Sequence, residues 1–367
     1  MSLGFQNAGF NIMCAIEKWR PAIDVYRTNF PAHPVLELDL ADERAAIDAI
    51  KKLSPDIIIG GPPCQDFSSA GKRDESQGRA SLTTSFARIV TSCRPEYFVM
   101  ENVARASSSQ TFKEALAIFK AADYGLTMKV LNAAYCGAPQ TRKRFIVIGA
   151  LNNKDGFLEN ALDSGLSSKP LTLRKHFGQQ IDFVHYYRHP RSYARRAVFS
   201  IDEPSPTIRG VNRPVPSGYP GHPGDTAPVE SIRCLTTAER ALIQTFPKNF
   251  IFPGSKTDSE QVIGNAVPVK LAEYVATHLA NFIRQVKVQK SQQQLTLFQA
   301  RANYITEFEQ TSPAATSNNA KVQQNIFIKR GLTSREVASK QNAYFSSEVV
   351  LKELDIVLSS AIKNAYK

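Results

Sequence analysis

Short apolar runs alternate with segments of helical periodicity through about the first 150 residues of the chain. The run at residues 56–59 contains three consecutive isoleucines, which is typical of a strand whose two faces are both covered by helices. Repeated strand–helix units of this length predict an α/β fold with a doubly wound, mostly parallel sheet. We place strands at residues 12–16, 35–40, 56–59, 97–100, 126–134 and 144–148, and helices at residues 21–30, 43–53, 82–92 and 112–122.

The alternation fades after about residue 168, where proline and glycine become frequent. Seven prolines within residues 204–228 predict irregular loops on short strands rather than long regular elements. Helical patterns return at residues 236–246 and 267–286. Thr236 and Glu239 have the spacing of a capping box, which indicates that the first of these helices begins there.

The composition is that of a folded protein, with 43% hydrophobic and 21% charged residues in a chain of 367. This length exceeds what one ordinary domain needs. No apolar run approaches the roughly 18 residues that predict a membrane-spanning helix, and the N-terminus shows no secretory signal. The five cysteines are widely spaced and include no Cys-x-x-Cys pair. We therefore expect a reduced cytoplasmic protein without a disulfide framework or a bound metal.

Basic residues outnumber acidic residues by 45 to 33, which gives a formal charge of +12. A surplus of this size favours a polyanionic partner, and nucleic acid is the first candidate. The surplus is dense within residues 188–213, where six arginines occur with two acids. Arginine suits a surface that reads a DNA groove because its planar fork pairs with guanine and with phosphate.

The sharpest chemical signal is the loop that follows the strand at 56–59. Gly60 and Gly61 allow the backbone to turn tightly at the end of that strand. Two prolines then stiffen the loop and present Cys64 in a fixed direction, where a thiol with a lowered pKa can act as a nucleophile. A lone loop cysteine is more often structural, so this interpretation depends on the motifs that follow.

Further short motifs follow in order, each at a sheet edge or at the start of a helix. They are Glu101-Asn102-Val103, Gln140-Thr141-Arg142-Lys143-Arg144, Arg233-Cys234-Leu235-Thr236 with Gln244-Thr245-Phe246-Pro247, and Gly264-Asn265-Ala266-Val267-Pro268. Together with Gly-Gly-Pro-Pro-Cys-Gln, this set closely resembles the cytosine carbon-5 DNA methyltransferases over residues 1 to about 285. The resemblance implies the fold of S-adenosylmethionine-dependent methyltransferases with a smaller, irregular target-recognition domain.

By this resemblance the reaction transfers a methyl group from S-adenosylmethionine to carbon 5 of a cytosine flipped out of a specific duplex sequence. The thiolate of Cys64 would add to carbon 6, which makes carbon 5 a better nucleophile. Glu101 would bond ring nitrogen 3 and the exocyclic amine, and Arg144 with Arg142 would hold the base. Loss of the carbon-5 proton and elimination of Cys64 would complete the turnover.

The resemblance also implies binding residues for the cofactor and for double-stranded DNA. A carboxylate at the end of a strand suits ribose hydroxyls, so Glu17 is the expected ribose ligand, and Asp39 with Leu40 is expected to grip the adenine. The whole predicted cofactor set is Glu17, Lys18, Asp39, Leu40, Pro62, Asn265 and Ala266. The predicted DNA contacts are Gln65, Ser68, Ser69, Lys72 and Arg73 in the polar loop after Cys64, with Thr207 and Arg209.

The chain then divides into five segments. The segments are a catalytic and cofactor domain at 1–168, a target-recognition domain at 169–261, a returning segment of the catalytic domain at 262–286, a Gln-, Ser-, Thr- and Asn-rich linker at 287–330 and a helical C-terminal extension at 331–367.

Family members normally open with a strand and a Phe-x-Gly-x-Gly-Gly loop, and this chain begins with residues that match the segment just after that loop. If that strand is not part of the protein, we expect weak or absent cofactor binding. The favoured function is a prokaryotic DNA cytosine-5 methyltransferase whose system includes a cognate restriction endonuclease. The alternatives are an inactive or split DNA-binding remnant and an RNA cytosine-5 methyltransferase, although the Cys-Phe-Thr signature of the tRNA-acting branch is absent.

Overall fold

The computed structural model describes residues 1–62, 81–230 and 232–311. Its strands are β1 (Ala15–Glu17), β2 (Val35–Glu37), β3 (Ile57–Gly60), β4 (Tyr97–Val103), β5 (Tyr124–Asn132), β6 (Gln140–Thr141), β7 (Lys143–Leu151), β8 (His185–Tyr187), β9 (Val198–Ser200) and β10 (Ser205–Pro206). Its helices are α1 (Ser2–Asn7), α2 (Arg20–Asn29), α3 (Glu43–Leu53), α4 (Ser81–Cys93), α5 (Gln110–Ala121), α6 (Glu159–Ser164), α7 (Leu173–Phe177), α8 (Thr237–Ile243), α9 (Lys256–Asn265) and α10 (Val269–Thr311).

Four strands form the main sheet, in the order β3, β4, β7 and β5. Strands β3 and β4 are parallel, and β7 runs antiparallel to both β4 and β5. Three strands therefore share one direction and only β7 is reversed. The predicted α/β class with a mostly parallel sheet is confirmed.

Helices cover both faces of this sheet. Successive side chains of a strand point to opposite faces, and β4 follows this alternation. On one face Phe98 and Met100 pack with Phe86 of α4 and Phe119 of α5. On the other face Val99 packs in a cluster that includes residues of α1, α6 and α10. The doubly wound arrangement follows from this alternation of apolar residues.

Strands β1 and β2 form a separate parallel pair. In the part of the chain that the structure describes, no strand pairing joins this pair to β3. Hydrophobic packing makes the connection instead, because Ala46 and Ile50 of α3 contact a cluster that contains Ile16 of β1 and Ile58 of β3. Helix α3 begins where the side chain of Asp42 caps it.

The segment between α6 and α9 has little regular structure, as the prolines predict. Strands β8 and β9 pair antiparallel over three residues. The carboxylate of Asp225 then accepts hydrogen bonds from the backbone N–H groups of Ala197, Val198 and His222 at 2.8–2.9 Å and from the hydroxyl of Tyr219 at 2.6 Å. One side chain thus fixes the proline-rich loop onto β9. The predicted capping box of Thr236 and Glu239 is present at the start of α8.

Helix α10 continues to Thr311, although the periodicity predicts an end near residue 286. Residues 287–311, the first part of the predicted linker, are therefore helical. Lys, Gln, Leu and Ala are all good helix formers, so a polar composition is compatible with an exposed helix as well as with a linker. Although α10 has 43 residues, neither it nor any other described helix is apolar enough to cross a bilayer. The predicted extension at 331–367 lies outside the described residues.

Gly149 of β7 lies against the ring of Phe98, and a methyl group on its Cα would stand 1.9 Å from Cε1 of that ring. The ring cannot move aside because Phe98 is fully buried and stacked on Phe119, with ring centroids 4.1 Å apart. We expect Gly149→Ala to lower the free energy of unfolding in urea by about 1–3 kcal/mol, the usual cost of overpacking a core. Gly218→Ala is the matched control because nothing lies within 4 Å of its added methyl group. Equal stability of the two variants would contradict this account.

Candidate active site

The carboxyl ends of β3 and β4 bring two of the predicted motifs side by side. Gly60 pairs in parallel with β4, so the chain that follows it runs beside Glu101. A methyl group on Gly61 would stand 3.1 Å from a carboxylate oxygen of Glu101. Nδ2 of the buried Asn102 donates to the carbonyl oxygen of Pro62 at 3.5 Å. The turn that leads to the cysteine loop is therefore held directly against Glu101.

Cys64 follows Pro62 by two residues and lies outside the described part of the chain. The predicted DNA contacts of the loop lie outside it as well, namely Gln65, Ser68, Ser69, Lys72 and Arg73. Their roles stay predictions. Pro62 itself is buried at the entrance to this loop.

Glu101 and Arg144 form an ion pair across the antiparallel strands β4 and β7. Nε of Arg144 lies 2.5 Å from Oε1 of Glu101, and each side chain is only 12% exposed. Arg144 is in register with Val103, two residues beyond Glu101, so the two side chains are diagonal neighbours on one face of the sheet. Low exposure strengthens their attraction because little water screens it. Arg144 thereby orients the carboxylate, which can present its second oxygen to a ligand.

Arg142 has a different environment from Arg144, because its guanidinium group donates hydrogen bonds to backbone carbonyl oxygens. Nη1 donates to the carbonyl oxygen of Ile208 at 2.8 Å and Nη2 to that of Gly264 at 3.0 Å. The side chain is 2% exposed. Burial, with the charge of Arg144 as a smaller cause, lowers the pKa of Arg142 to about 9. Arg142 therefore connects the sheet to two distant segments, and its predicted contact with the base stays a prediction.

The first four predicted cofactor residues lie together at the carboxyl ends of β1 and β2. Oε1 of Glu17 accepts hydrogen bonds from the backbone N–H groups of Lys18 and Trp19 at 2.8 and 2.9 Å. Nζ of Lys18 lies 2.8 Å from Oδ2 of Asp39, whose pKa is lowered by this contact and by the backbone N–H of Ala41. Two carboxylates are thus oriented next to the half-buried Leu40.

Two further predicted cofactor residues, Asn265 and Ala266, lie where α9 ends. Oδ1 of Asn265 accepts from Nε2 of Gln261 at 3.0 Å, and the carbonyl oxygen of Ala266 accepts from Nε2 of Gln244 at 3.1 Å. Among the described residues no hydrogen bond joins this pair to β1 or β2.

A family model described as C-5 cytosine-specific DNA methylase matches residues 1–179 and 171–281, which is most of the chain. The chain belongs to this family. The predicted family and the predicted activity, DNA cytosine-5 methyltransferase, are confirmed by this match. Members of the family use S-adenosylmethionine in general and act on DNA.

Similar proteins agree with this membership. The chain is 55% identical to the Type II methyltransferase M.HindV of Haemophilus influenzae over 284 residues, which are 77% of this chain and 93% of that protein. It is 53% identical to the Type II methyltransferase M.HgiDI of Herpetosiphon aurantiacus over 290 residues, 79% of this chain and 94% of that protein. The crystal structure of the Dnmt2 methyltransferase of S. pombe has a TM-score of 0.57 at 17% identity and covers 77% of this chain and 94% of that one, which supports the fold alone.

The two predicted DNA contacts in the target-recognition segment of this methyltransferase have different surroundings. The hydroxyl of Thr207 donates to the carbonyl oxygen of Thr141 at 3.0 Å, so it anchors the recognition segment to β6. The Arg209 guanidinium donates to the carbonyl oxygen of His189 and lines a cavity in the same segment. Thr207 lines the same cavity, but of the two residues only Arg209 brings a positive charge to it.

Two buried side-chain amides, those of Gln140 and Gln244, connect β6 with the recognition segment and with the end of α9. The sequence did not single out either of them. Nε2 of Gln140 donates to Oε1 of Gln244 at 2.8 Å, and Oε1 of Gln140 accepts from the backbone N–H of Ile208 at 2.8 Å. Nε2 of Gln244 donates to the carbonyl oxygens of Ile263 and Ala266. Both glutamines stand in motifs that carried the resemblance, but nothing in their spacing indicates that each is fully buried.

We expect Gln244→Leu to destabilise the protein, because the apolar side chain leaves the Gln140 amide and two carbonyl oxygens without partners. Each buried polar group left unpaired costs about 1–3 kcal/mol. Thermal unfolding followed by circular dichroism measures the loss. Gln179→Leu is the matched control, since Gln179 is exposed. A Gln244→Leu variant as stable as the control would contradict a joining role for this amide.

Proposed function

We propose that this chain methylates carbon 5 of a flipped-out cytosine in a specific duplex sequence, as the modification enzyme of a restriction–modification system. Relatives more than half identical to it over almost their whole length are named Type II methyltransferases. A cognate restriction endonuclease would be the other enzyme of that system. The observation that carries the residue roles is the Glu101–Arg144 ion pair beside the Gly61–Pro62 turn.

Glu101 selects the base. A carboxylate with one oxygen held by Arg144 can receive the exocyclic amine of cytosine on its other oxygen, close to ring nitrogen 3. Thymine has a carbonyl oxygen in place of that amine, and two oxygen acceptors facing each other repel. The guanidinium of Arg144 also offsets negative charge that collects on the ring when a nucleophile adds to it.

Cys64 supplies that nucleophile. Its thiolate adds to carbon 6, which makes carbon 5 nucleophilic. Bound S-adenosylmethionine would supply the methyl group to carbon 5 and leave as S-adenosylhomocysteine when its sulfur–methyl bond breaks. A base then removes the proton from carbon 5, the electrons reform the ring double bond, and Cys64 leaves as a thiolate. The short connection from Pro62 supports this role, because the loop begins beside Glu101.

The residues at the ends of β1 and β2 fit S-adenosylmethionine, which supplies an electrophilic methyl group when it is bound. Two backbone N–H groups orient Glu17 through Oε1, and Oε2 takes no hydrogen bond among the described residues, so it can accept from a ribose hydroxyl. Asp39 is held by Lys18 and Ala41, which places a fixed acceptor for an adenine amine beside Leu40. Pro62, Asn265 and Ala266 complete the proposed set.

The chain should form a denaturation-resistant adduct with a duplex library that carries 5-fluorocytosine in the presence of S-adenosylmethionine. Fluorine cannot leave carbon 5 as a proton, so the enzyme stays attached through Cys64 after methyl transfer. Cys64→Ser should form no adduct, and Cys136→Ser is the control because Cys136 is buried in the core. Sequencing the trapped duplexes identifies the target. An adduct with Cys64→Ser would overturn the assignment of the nucleophile, and a preference for RNA duplexes would favour the RNA-modifying alternative.

Glu101→Gln should lower the single-turnover rate of methyl transfer by roughly 10²–10⁴-fold, because an amide cannot provide the same contacts to ring nitrogen 3 and the amine. Binding of S-adenosylmethionine, measured by calorimetry, should not change. Glu96→Gln is the matched control, since Glu96 is exposed just before β4. A rate for Glu101→Gln within roughly tenfold of the native rate would argue against a role in the chemical step.

A further inference from the structure

A cavity of about 420 Å³ lies in the target-recognition segment, apart from the Glu101–Arg144 pair. It is bounded by the end of β8, the connection between β8 and β9, and the chain that follows β10. Five arginines line it, namely Arg188, Arg191, Arg195, Arg196 and Arg209.

Three of these arginines are fixed by contacts within the protein. Arg196 forms a two-pronged ion pair with Glu203 and lies over the ring of Phe199, with its guanidinium carbon 4.3 Å from the ring centroid. Nη2 of Arg188 donates to the carbonyl oxygen of Thr207 at 2.9 Å. Arg209 is held by the carbonyl oxygen of His189. These three guanidinium groups are therefore held in fixed positions in the wall of the cavity.

The other two, Arg191 and Arg195, are exposed and are held by nothing comparable. Among residues 1–62, 81–230 and 232–311, no carboxylate pairs with either side chain. Glu203 is the one described carboxylate that pairs with any of the five arginines. Two guanidinium forks at the rim thus retain all of their hydrogen-bond donors.

The arginines also repel one another. Burial, followed by the charges of Arg209 and Arg191, lowers the pKa of Arg188 to about 10. Burial, followed by the charges of Arg191, Arg195 and Arg213, lowers the pKa of Arg209. An anion in the cavity would offset this repulsion, whereas the neutral edge of a base would not.

We propose that this cavity is an anion site that takes one phosphodiester group of the DNA substrate, with Arg191 and Arg195 pairing with its free oxygens. The inference rests on the proposed function, because it names how the duplex of that reaction is held. The planar fork of arginine matches phosphate in two-pronged geometry. Contacts to phosphate fix the register of a protein on DNA without reading sequence. The site would hold the duplex while other residues select the target.

The test compares the full-length native chain with a cavity variant, Arg191→Ala/Arg195→Ala, and a control variant, Arg174→Ala/Lys175→Ala. The control removes the same charge from α7, and neither residue lines the cavity. The first measurement is the salt dependence of binding to mixed-sequence duplex DNA. The second is thermal unfolding in inorganic phosphate against chloride of equal ionic strength, which probes the anion site without DNA.

We expect the cavity variant to lose about 0.9 from the slope of log K against log salt, the value for one phosphate contact, with a smaller change in the control variant. The extra stabilisation by phosphate should be lost in the cavity variant and kept in the control. Equal slopes for the two variants, or an altered sequence preference with an unchanged slope, would overturn the proposal. A native chain that responds to phosphate through this cavity but binds no duplex would refute the proposed function and retain the anion site. A native chain that binds duplex while all three proteins respond equally to phosphate would refute the anion site alone.

Discussion

Buried polar groups need partners, and this requirement determines how the sheet of this methyltransferase meets its recognition segment. Arg142, Gln140 and Gln244 are each at most 2% exposed, and together they bond backbone groups of Ile208 and of the end of α9. None of the three can be exposed or displaced without leaving donors unpaired in the interior. The two-residue pairing of β6 with β10 lies at the same junction. The recognition segment is therefore positioned by hydrogen bonds to residues 140–142, which directly precede the strand that carries Arg144.

A second buried contact holds the backbone at Arg209, one of the arginines that line the cavity. Arg240 of α8 and Glu260 of α9 form an ion pair and are 3% and 4% exposed. Arg240 also donates to the carbonyl oxygen of Arg209, and Glu260 accepts from the hydroxyl of Thr237 at 2.7 Å. A buried ion pair contributes little net stability, but removal of one partner leaves an uncompensated charge. The pair thus holds the chain at Arg209 in one arrangement.

The positive charge of the chain has two different uses. Some arginines are structural, because they pair with carboxylates or donate to backbone carbonyls. Arg88 pairs with Glu43, and Arg174 pairs with Asp202. Those at the rim of the cavity keep their donors for a ligand. A net charge of +12 predicts a polyanionic partner but does not distinguish these two groups. The distinction depends on which acceptors lie within reach of each guanidinium.

Periodicity and residue type predicted the α/β class, most strands and helices of the first 150 residues and the capping box at Thr236. The family and the reaction came from the resemblance of the ordered motifs to a known family. These features are local, because a buried strand, a helix start or a Pro-Pro-Cys-Gln loop is encoded by neighbouring residues. The length of α10 was underestimated because exposed helices and linkers share a polar composition. Only the tertiary structure decided what Arg142 and Thr207 contact. The partners of Arg142 lie 66 and 122 residues away in the chain, and that of Thr207 lies 66 residues away. Whether a side chain faces a ligand or a distant backbone carbonyl depends on how such remote segments pack. A local sequence pattern contains no information about that packing.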